Sequence, residues 1–308
     1  AAREDVPLGV GDDAALLECP PDRQLVAAID TLVEGVHFPA GSAAASVGHR
    51  ALAVNLSDLA AMGAEPRWAL LALTLPRSDA GWLGEFSRGF AELARAFRVA
   101  LVGGDTTSGA LCVTVQILGS VERGTALTRS GGAAGEALYV SGTPGEAVAG
   151  LELEQARLEV PDAQAARALR ERFLFPQPRV ELGRGLRAHA TACIDVSDGL
   201  LGDAGKLARA SGCGAELALE ALPVSRELVG AVGEVRAREL ALTGGDDYEL
   251  LFSVPESRCA ALERELPASR WHYTRIGTLR SEPGVVVTRS GSVIDFSHCG
   301  FDHFASGR

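Results

Sequence analysis

One lysine, one methionine and three tryptophans occur in 308 residues, and acidic side chains outnumber basic ones by 40 to 29. A net charge of −11, with Lys206 as the sole ammonium side chain, argues against a nucleic-acid backbone or an anionic membrane, both of which require clustered Lys and Arg. Neither is expected as a partner. The six cysteines, Cys19, Cys112, Cys193, Cys213, Cys259 and Cys299, form no CxxC pair. That excludes a spaced zinc site and a disulfide framework, and leaves buried free thiols as the expectation. No apolar run reaches the ~18 residues of a membrane span, and the opening Ala1-Ala2-Arg3-Glu4-Asp5 has no signal-peptide core, so a cytoplasmic protein is expected.

Several catalytic signatures are missing as well. The one Gly-Lys pair, Gly205-Lys206, has Leu200 and Leu207 where a Walker P-loop needs Gly and Ser or Thr. Gly9-Val10-Gly11-Asp12-Asp13-Ala14 fails GxGxxG at its last position, and there is no HRD, DFG or GxSxG. Dinucleotide binding, protein-kinase chemistry and a serine hydrolase elbow are therefore unsupported.

What is present is ordinary globular material, 47% apolar and 22% charged, long enough for two domains of roughly 100–200 residues each. The first half alternates strand-like and helical runs: Leu25–Ile29, the helical Ala45–Met62, Trp68–Leu75, the amphipathic helix Trp82–Val99, Ala100–Val102 and Leu111–Val121. Arg129-Ser130-Gly131-Gly132-Ala133-Ala134-Gly135 is small and aperiodic, and marks a boundary between domains at 1–132 and 133–308. Beyond it, strands are expected at Ala137–Ser141, Ala192–Asp195, Ala215–Leu219, Glu249–Val254, Trp271–Gly277 and Val285–Thr288, with helices between several of them. This is an α/β (α+β) pattern.

Five segments share one device, an aspartate in a small-residue turn after a β run: Gly11-Asp12-Asp13, Ile29-Asp30-Thr31, Gly103-Gly104-Asp105-Thr106-Thr107, Asp195-Val196-Ser197-Asp198-Gly199 and Gly244-Gly245-Asp246-Asp247-Tyr248-Glu249. A buried carboxylate at a strand end is costly unless a positive charge compensates it, and one lysine cannot serve five sites. Magnesium takes hard oxygen ligands, usually one or two carboxylates per ion with water and phosphate completing the shell. Glycines let backbone approach phosphate, and phosphoryl transfer needs chiefly positioning and charge neutralisation. Any single member, Asp12 and Asp247 above all, is equally explained as a turn or a helix cap. Asp58 adds to the set from within a helix, three residues from Asn55 and beside the apolar stripe Leu52, Leu56 and Leu59. His37 follows Asp30 closely, although a lone loop histidine is more often surface.

In this order and spacing, Gly11–Ala15, Asp30–Phe38, Ala51–Ala64, Gly103–Thr107, Ala126–Gly131, Asp195–Leu200 and Gly244–Leu250 resemble the thiamine-monophosphate kinase family, and Gly300–Phe304 resembles its C-terminal signature. The resemblance implies the fold of aminoimidazole ribonucleotide synthetase: an N-terminal α/β domain that binds ATP and magnesium and forms a homodimer through its sheet, and a C-terminal α/β domain over the nucleotide. It implies direct phosphoryl transfer from ATP to thiamine monophosphate. Carried over by position, Asp13, Asp30, Asp58, Asp105, Asp195 and Asp198 would hold Mg2+. Gly104, Arg129 and Ser197 would contact ATP, and His37, Asp246 and Phe301 the acceptor. Where the family often has Gly-Gly-Glu-Asp-Tyr-Glu, this chain has Asp246, one methylene shorter. A related superfamily enzyme, a non-catalytic nucleotide-binding regulator and a carboxylate-metal phosphohydrolase are the competing readings.

Overall fold

The computed structural model describes residues 3–294 and Phe296, so Phe301 and the C-terminal signature lie outside the described residues. Its two sheets follow one another along the chain. The first has the order β1-β4-β2-β3, from β1 (Arg23–Val33), β2 (Glu65–Leu75), β3 (Ala100–Ser108) and β4 (Cys112–Glu122). Strands β1, β4 and β2 pair antiparallel, whereas β3 joins β2 in parallel. A parallel return requires a crossover, which α2 (Ala80–Ala96) supplies after α1 (Ala44–Ala61). The side chain of Asp79 starts α2 by accepting from Trp82 N at 3.0 Å, a cap worth about 1 kcal/mol.

The second sheet has the order β11-β10-β7-β9-β5-β8-β6. Its strands are β5 (Ala137–Ser141), β6 (Ala192–Val196), β7 (Gly214–Ala218), β8 (Glu249–Val254), β9 (Tyr273–Arg280), β10 (Gly284–Arg289) and β11 (Ser292–Ile294). Between β5 and β6 run α3 (Glu146–Glu154), α4 (Ala163–Leu174) and α5 (Val180–Leu186). Then come α6 (Leu200–Ala210), α7 (Arg226–Val232), α8 (Glu234–Thr243), α9 (Glu256–Glu265) and α10 (Ala268–Trp271). Every residue of β5, β6 and β8 is buried, as expected for strands covered on both faces.

Helix α1 is the hub. It packs on α2 and β1, and also on α4, α5, β6 and β8 of the second sheet's layer. Its apolar residues Leu52, Leu56 and Leu59 are fully buried and contribute roughly 2 kcal/mol each. Two glycines allow the close approach of α1 and α2: a Cβ at Gly48 would stand 2.2 Å from Phe86 O, and one at Gly89 1.9 Å from Ala45 O. Because α1 is covered on nearly all sides, its polar residues Arg50, Asn55 and Ser57 are buried too.

Two expectations need correction. Asp30 and Asp105 do not sit in turns after their strands; they lie inside β1 and β3. Pairing continues through them, Asp30 opposite Val115 and Asp105 opposite Ala72, so the ladders outlast the small residues. Of the cysteines described, Cys193 alone is buried, and Cys19, Cys112, Cys213 and Cys259 are half-buried free thiols. No helix among the described residues is long and apolar enough to cross a membrane.

Candidate active site

Between the two sheets lies a cavity of about 240 Å³ into which several elements deliver acids. β1 supplies Asp30, α1 supplies Asp58, and the end of β6 with its following loop supplies Asp195, Ser197 and Asp198; the 244–249 loop adds Asp246. Asp30 and Asp58 share a hydrogen bond, and burial raises the pKa of both, that of Asp58 to about 8 with the charges of Asp195 and Asp30 as further causes. Burial and the Asp203 charge raise Asp195 to about 6, against an opposing bond from Ser57 Oγ to Asp195 Oδ2 at 3.0 Å. Like charges in a medium of low dielectric resist joint ionisation. The exposed Arg129 moderates this, its charge lowering both Asp58 and Asp195. His37 lines the same cavity, its Nδ1 accepting from Val33 N at 3.0 Å.

Two residues not singled out as functional by the sequence hold the 195–199 loop. Asp203, in the first turn of α6 and 1% exposed, accepts from Ser197 N and Asp198 N, both at 3.0 Å. Lys206 bonds its other oxygen at 2.8 Å and also reaches Asp198. The spacing Asp198, Asp203, Lys206 on a helix start was the available signal. Asp247 follows the bland reading: its carboxylate accepts from Gly145 N at 2.8 Å and Ala147 N at 3.3 Å, capping α3. Asp12 likewise closes a local turn, accepting from Asp13 N at 2.8 Å.

The six carried-over aspartates do not all meet within one chain. Asp13, Gly104 and Asp105 line a separate, open cleft of about 630 Å³ over β2 and β3, where both carboxylates are exposed. A Cβ at Gly104 would stand 1.9 Å from Leu71 O, so only glycine lets β3 approach there. Along one row of the sheet, Asp30 faces Val115, Val115 faces Leu71, and Leu71 faces Gly104. At ordinary strand spacing that row puts the two groups about 14 Å apart, beyond the reach of a shared ion. Among the described residues, no three His, Cys, Asp or Glu side chains already stand together as a metal site.

Residues 11–121 match the model of the AIR synthase related protein N-terminal domain, and residues 133–290 that of the C-terminal domain. Thiamine-monophosphate kinase of Escherichia coli is 46% identical over 99% of this chain and 94% of its own length. The chain belongs to the thiamine-monophosphate kinase family. The Bacillus subtilis member is 34% identical over 97% of this chain and 94% of its own. The crystal structure of the Stenotrophomonas maltophilia thiamine-monophosphate kinase superposes with a TM-score of 0.88 at 44% identity, covering 95% of this chain and 93% of that one. AaThiL complexed with AMPPCP and TMP gives 0.82 at 34%, covering 96% and 92%. Hydrogenase maturation protein HypE of Escherichia coli, at 22% identity and 0.77 over 97% and 94%, shares the fold alone.

Proposed function

We propose that this chain phosphorylates thiamine monophosphate at the expense of ATP, giving thiamine diphosphate and ADP. An oxygen of the acceptor phosphate bonds to the γ-phosphorus while the bond from the γ-phosphorus to the β,γ-bridging oxygen breaks, and no phosphoenzyme forms. The observation that carries the reading is the group Asp30, Asp58, Asp195 and Asp198 around one cavity, Asp195 buried and the other three half-buried, where burial and the charges of Asp195 and Asp30 push Asp58 up to about 8. Hard oxygen donors with unbalanced charge fit magnesium. Bound there, Mg2+ would neutralise the two like-charged phosphates that must meet. Asp30, Asp58, Asp195 and Asp198 would hold it, Arg129 and Ser197 would bind ATP, and His37 and Asp246 would face the acceptor.

The same reading assigns Asp13, Gly104 and Asp105 to the site through a second copy of the chain. The first sheet leaves one face open, with Leu25 and Ile29 of β1 58% and 62% exposed and Leu101 of β3 43%. An apolar sheet face of this kind favours a partner, and a homodimer through it, built by residues 1–132 with 133–308 closing over each site, covers it. Setting the β1 edge of one protomer beside the β3 edge of its partner brings Asp30 and Asp58 to the partner's Asp105 and the partner's Asp13. A cytoplasmic location, where ATP is abundant, belongs to this reading.

The test is ADP release with thiamine monophosphate, free thiamine or aminoimidazole ribonucleotide precursors as acceptor. ADP should form with thiamine monophosphate alone. ADP formed without any acceptor would mean a phosphohydrolase, and none in any mixture would mean a regulator.

A further inference from the structure

Arg50 is 2% exposed, a guanidinium sunk on the hub helix. Its Nη1 donates to Phe173 O at the end of α4 at 2.7 Å, and its Nη2 meets the Asp246 carboxylate. The group stacks 4.3 Å from the Phe173 ring centroid and 5.5 Å from that of Tyr248, while Nε has no partner among the described residues. A buried donor left unpaired is a standing cost, so the placement is held by what the other two nitrogens do. They join α1, α4 and the 244–249 loop at one point.

That loop is strained. Asp246 and Tyr248 have φ of 70° and 51°, a region costly for residues with bulky side chains and sustained only where surroundings enforce it. The enforcing contacts are specific: Asp246 N donates to Ser197 O and Tyr248 N to Val196 O, each at 2.8 Å. Asp247 is fixed on α3, and Glu249 by Arg172, Arg179 and Ser141. For Asp246 itself, both bonds fall on Oδ1, from Arg50 and from Tyr248 OH at 3.2 Å. Among the described residues Oδ2 accepts none, and Asp246 lines the cavity.

We infer that Arg50 is the positioning residue that holds Asp246 against the cavity wall, claiming one carboxylate oxygen and leaving Oδ2 to accept from the phosphoryl acceptor. This rests on the reading that Asp246 faces that acceptor. With its charge matched by Arg50, Asp246 serves as an oriented hydrogen-bond acceptor; the shorter side chain at this position sits drawn onto the guanidinium. Arg50 touches no substrate in this scheme and acts through Asp246 alone.

The test compares Arg50→Lys, Arg50→Met, Asp246→Asn and the two doubles, Arg50→Lys/Asp246→Asn and Arg50→Met/Asp246→Asn, in the full chain. Arg50→Met and Asp246→Asn should each raise KM for thiamine monophosphate about tenfold with KM for ATP unchanged. Arg50→Lys should fall between, and each double should be no worse than Asp246→Asn, since residues acting as one unit are not additive. Multiplying effects in the doubles, an equal change in both KM values, or no change would overturn the inference. If Arg50→Met does not fold, Arg50→Lys and its double decide on the same criteria. Were the wild type to make no ADP with thiamine monophosphate, the kinase reading would fall by itself. The melting temperatures of the same variants would then decide whether Arg50 and Asp246 are coupled, and additive shifts would overturn the positioning.

Discussion

Four aspartates line the cavity between the two sheets, Asp195 buried and Asp30, Asp58 and Asp198 half-buried, and two lie open at the far edge of the first. Within the inner four, burial and mutual repulsion raise Asp30, Asp58 and Asp195. The open pair, Asp13 and Asp105, faces solvent beside the Gly104 backbone. Burying like charges is tolerable only where a proton or a cation balances them, and the inner group calls for such a balance. Solvent already serves the outer pair, which gains a similar environment only when another surface covers it. On the proposed reading, one protomer presents two incomplete halves.

The largest effect expected is on turnover. Asp195→Asn and Asp105→Asn should each lower kcat by about a thousandfold or more, because each removes a charge from the proposed metal site and little volume. Thermal melts without metal should separate the two groups, Asp58→Asn and Asp195→Asn being at least as stable as wild type at alkaline pH and Asp105→Asn unchanged. Steady-state rates and melts on the same preparations check both. Near-normal rates in both turnover variants would break the metal assignment.

Next in size is the support beneath the inner group. Asp203→Ala removes the acceptor of two backbone N–H groups and one of the two partners of Lys206, and should cost about 10- to 100-fold in magnesium affinity, read by calorimetric titration. The corresponding outer support, Asp12 on Asp13 N, is exposed, so Asp12→Ala should change affinity far less.

pH sharpens the comparison further. An acid with a raised pKa keeps a proton in the folded chain that the unfolded chain has lost, so stability declines as pH rises between the two values. For Asp58 that window runs from about 4 to about 8. In chelator the melting temperature should carry a declining component across this window that Asp58→Asn removes, and magnesium should stabilise more at its upper end than at its lower end. Scanning calorimetry with and without Mg2+ checks it, and equal stabilisation at both ends would contradict it. Smallest is Ser57→Ala, which deletes the bond to Asp195 Oδ2, costs about 1 kcal/mol and lets the pKa of Asp195 climb higher.

Much of this was legible in the sequence, for identifiable reasons. The apolar period of Leu52, Leu56 and Leu59 set out α1, and the small-residue run 129–135 falls between the two sheets. Most of the acids announced themselves by recurring in short segments with glycine, serine or threonine. What could not be read was their partition, since sheet order, not sequence spacing, puts Asp30 and Asp105 at opposite edges. Strand continuation through both was hidden because glycine and threonine in the run look like turn residues, while the ladder partners that hold them, Val115 and Ala72, are far along the chain. Arg50 gave no signal in the sequence, because its partners are 123 and 196 residues away. The C-terminal expectation, Phe301, lies outside the described residues.

Mixing two inactive variants tests the composite site most directly. Asp58→Asn and Asp105→Asn, unfolded together and refolded as mixed dimers, should recover about a quarter of wild-type activity. Half of randomly paired dimers are then mixed, and each of these has one site free of both substitutions. If both halves of a site came from a single chain, the mixture would stay as inactive as its components, and that result would contradict the shared site.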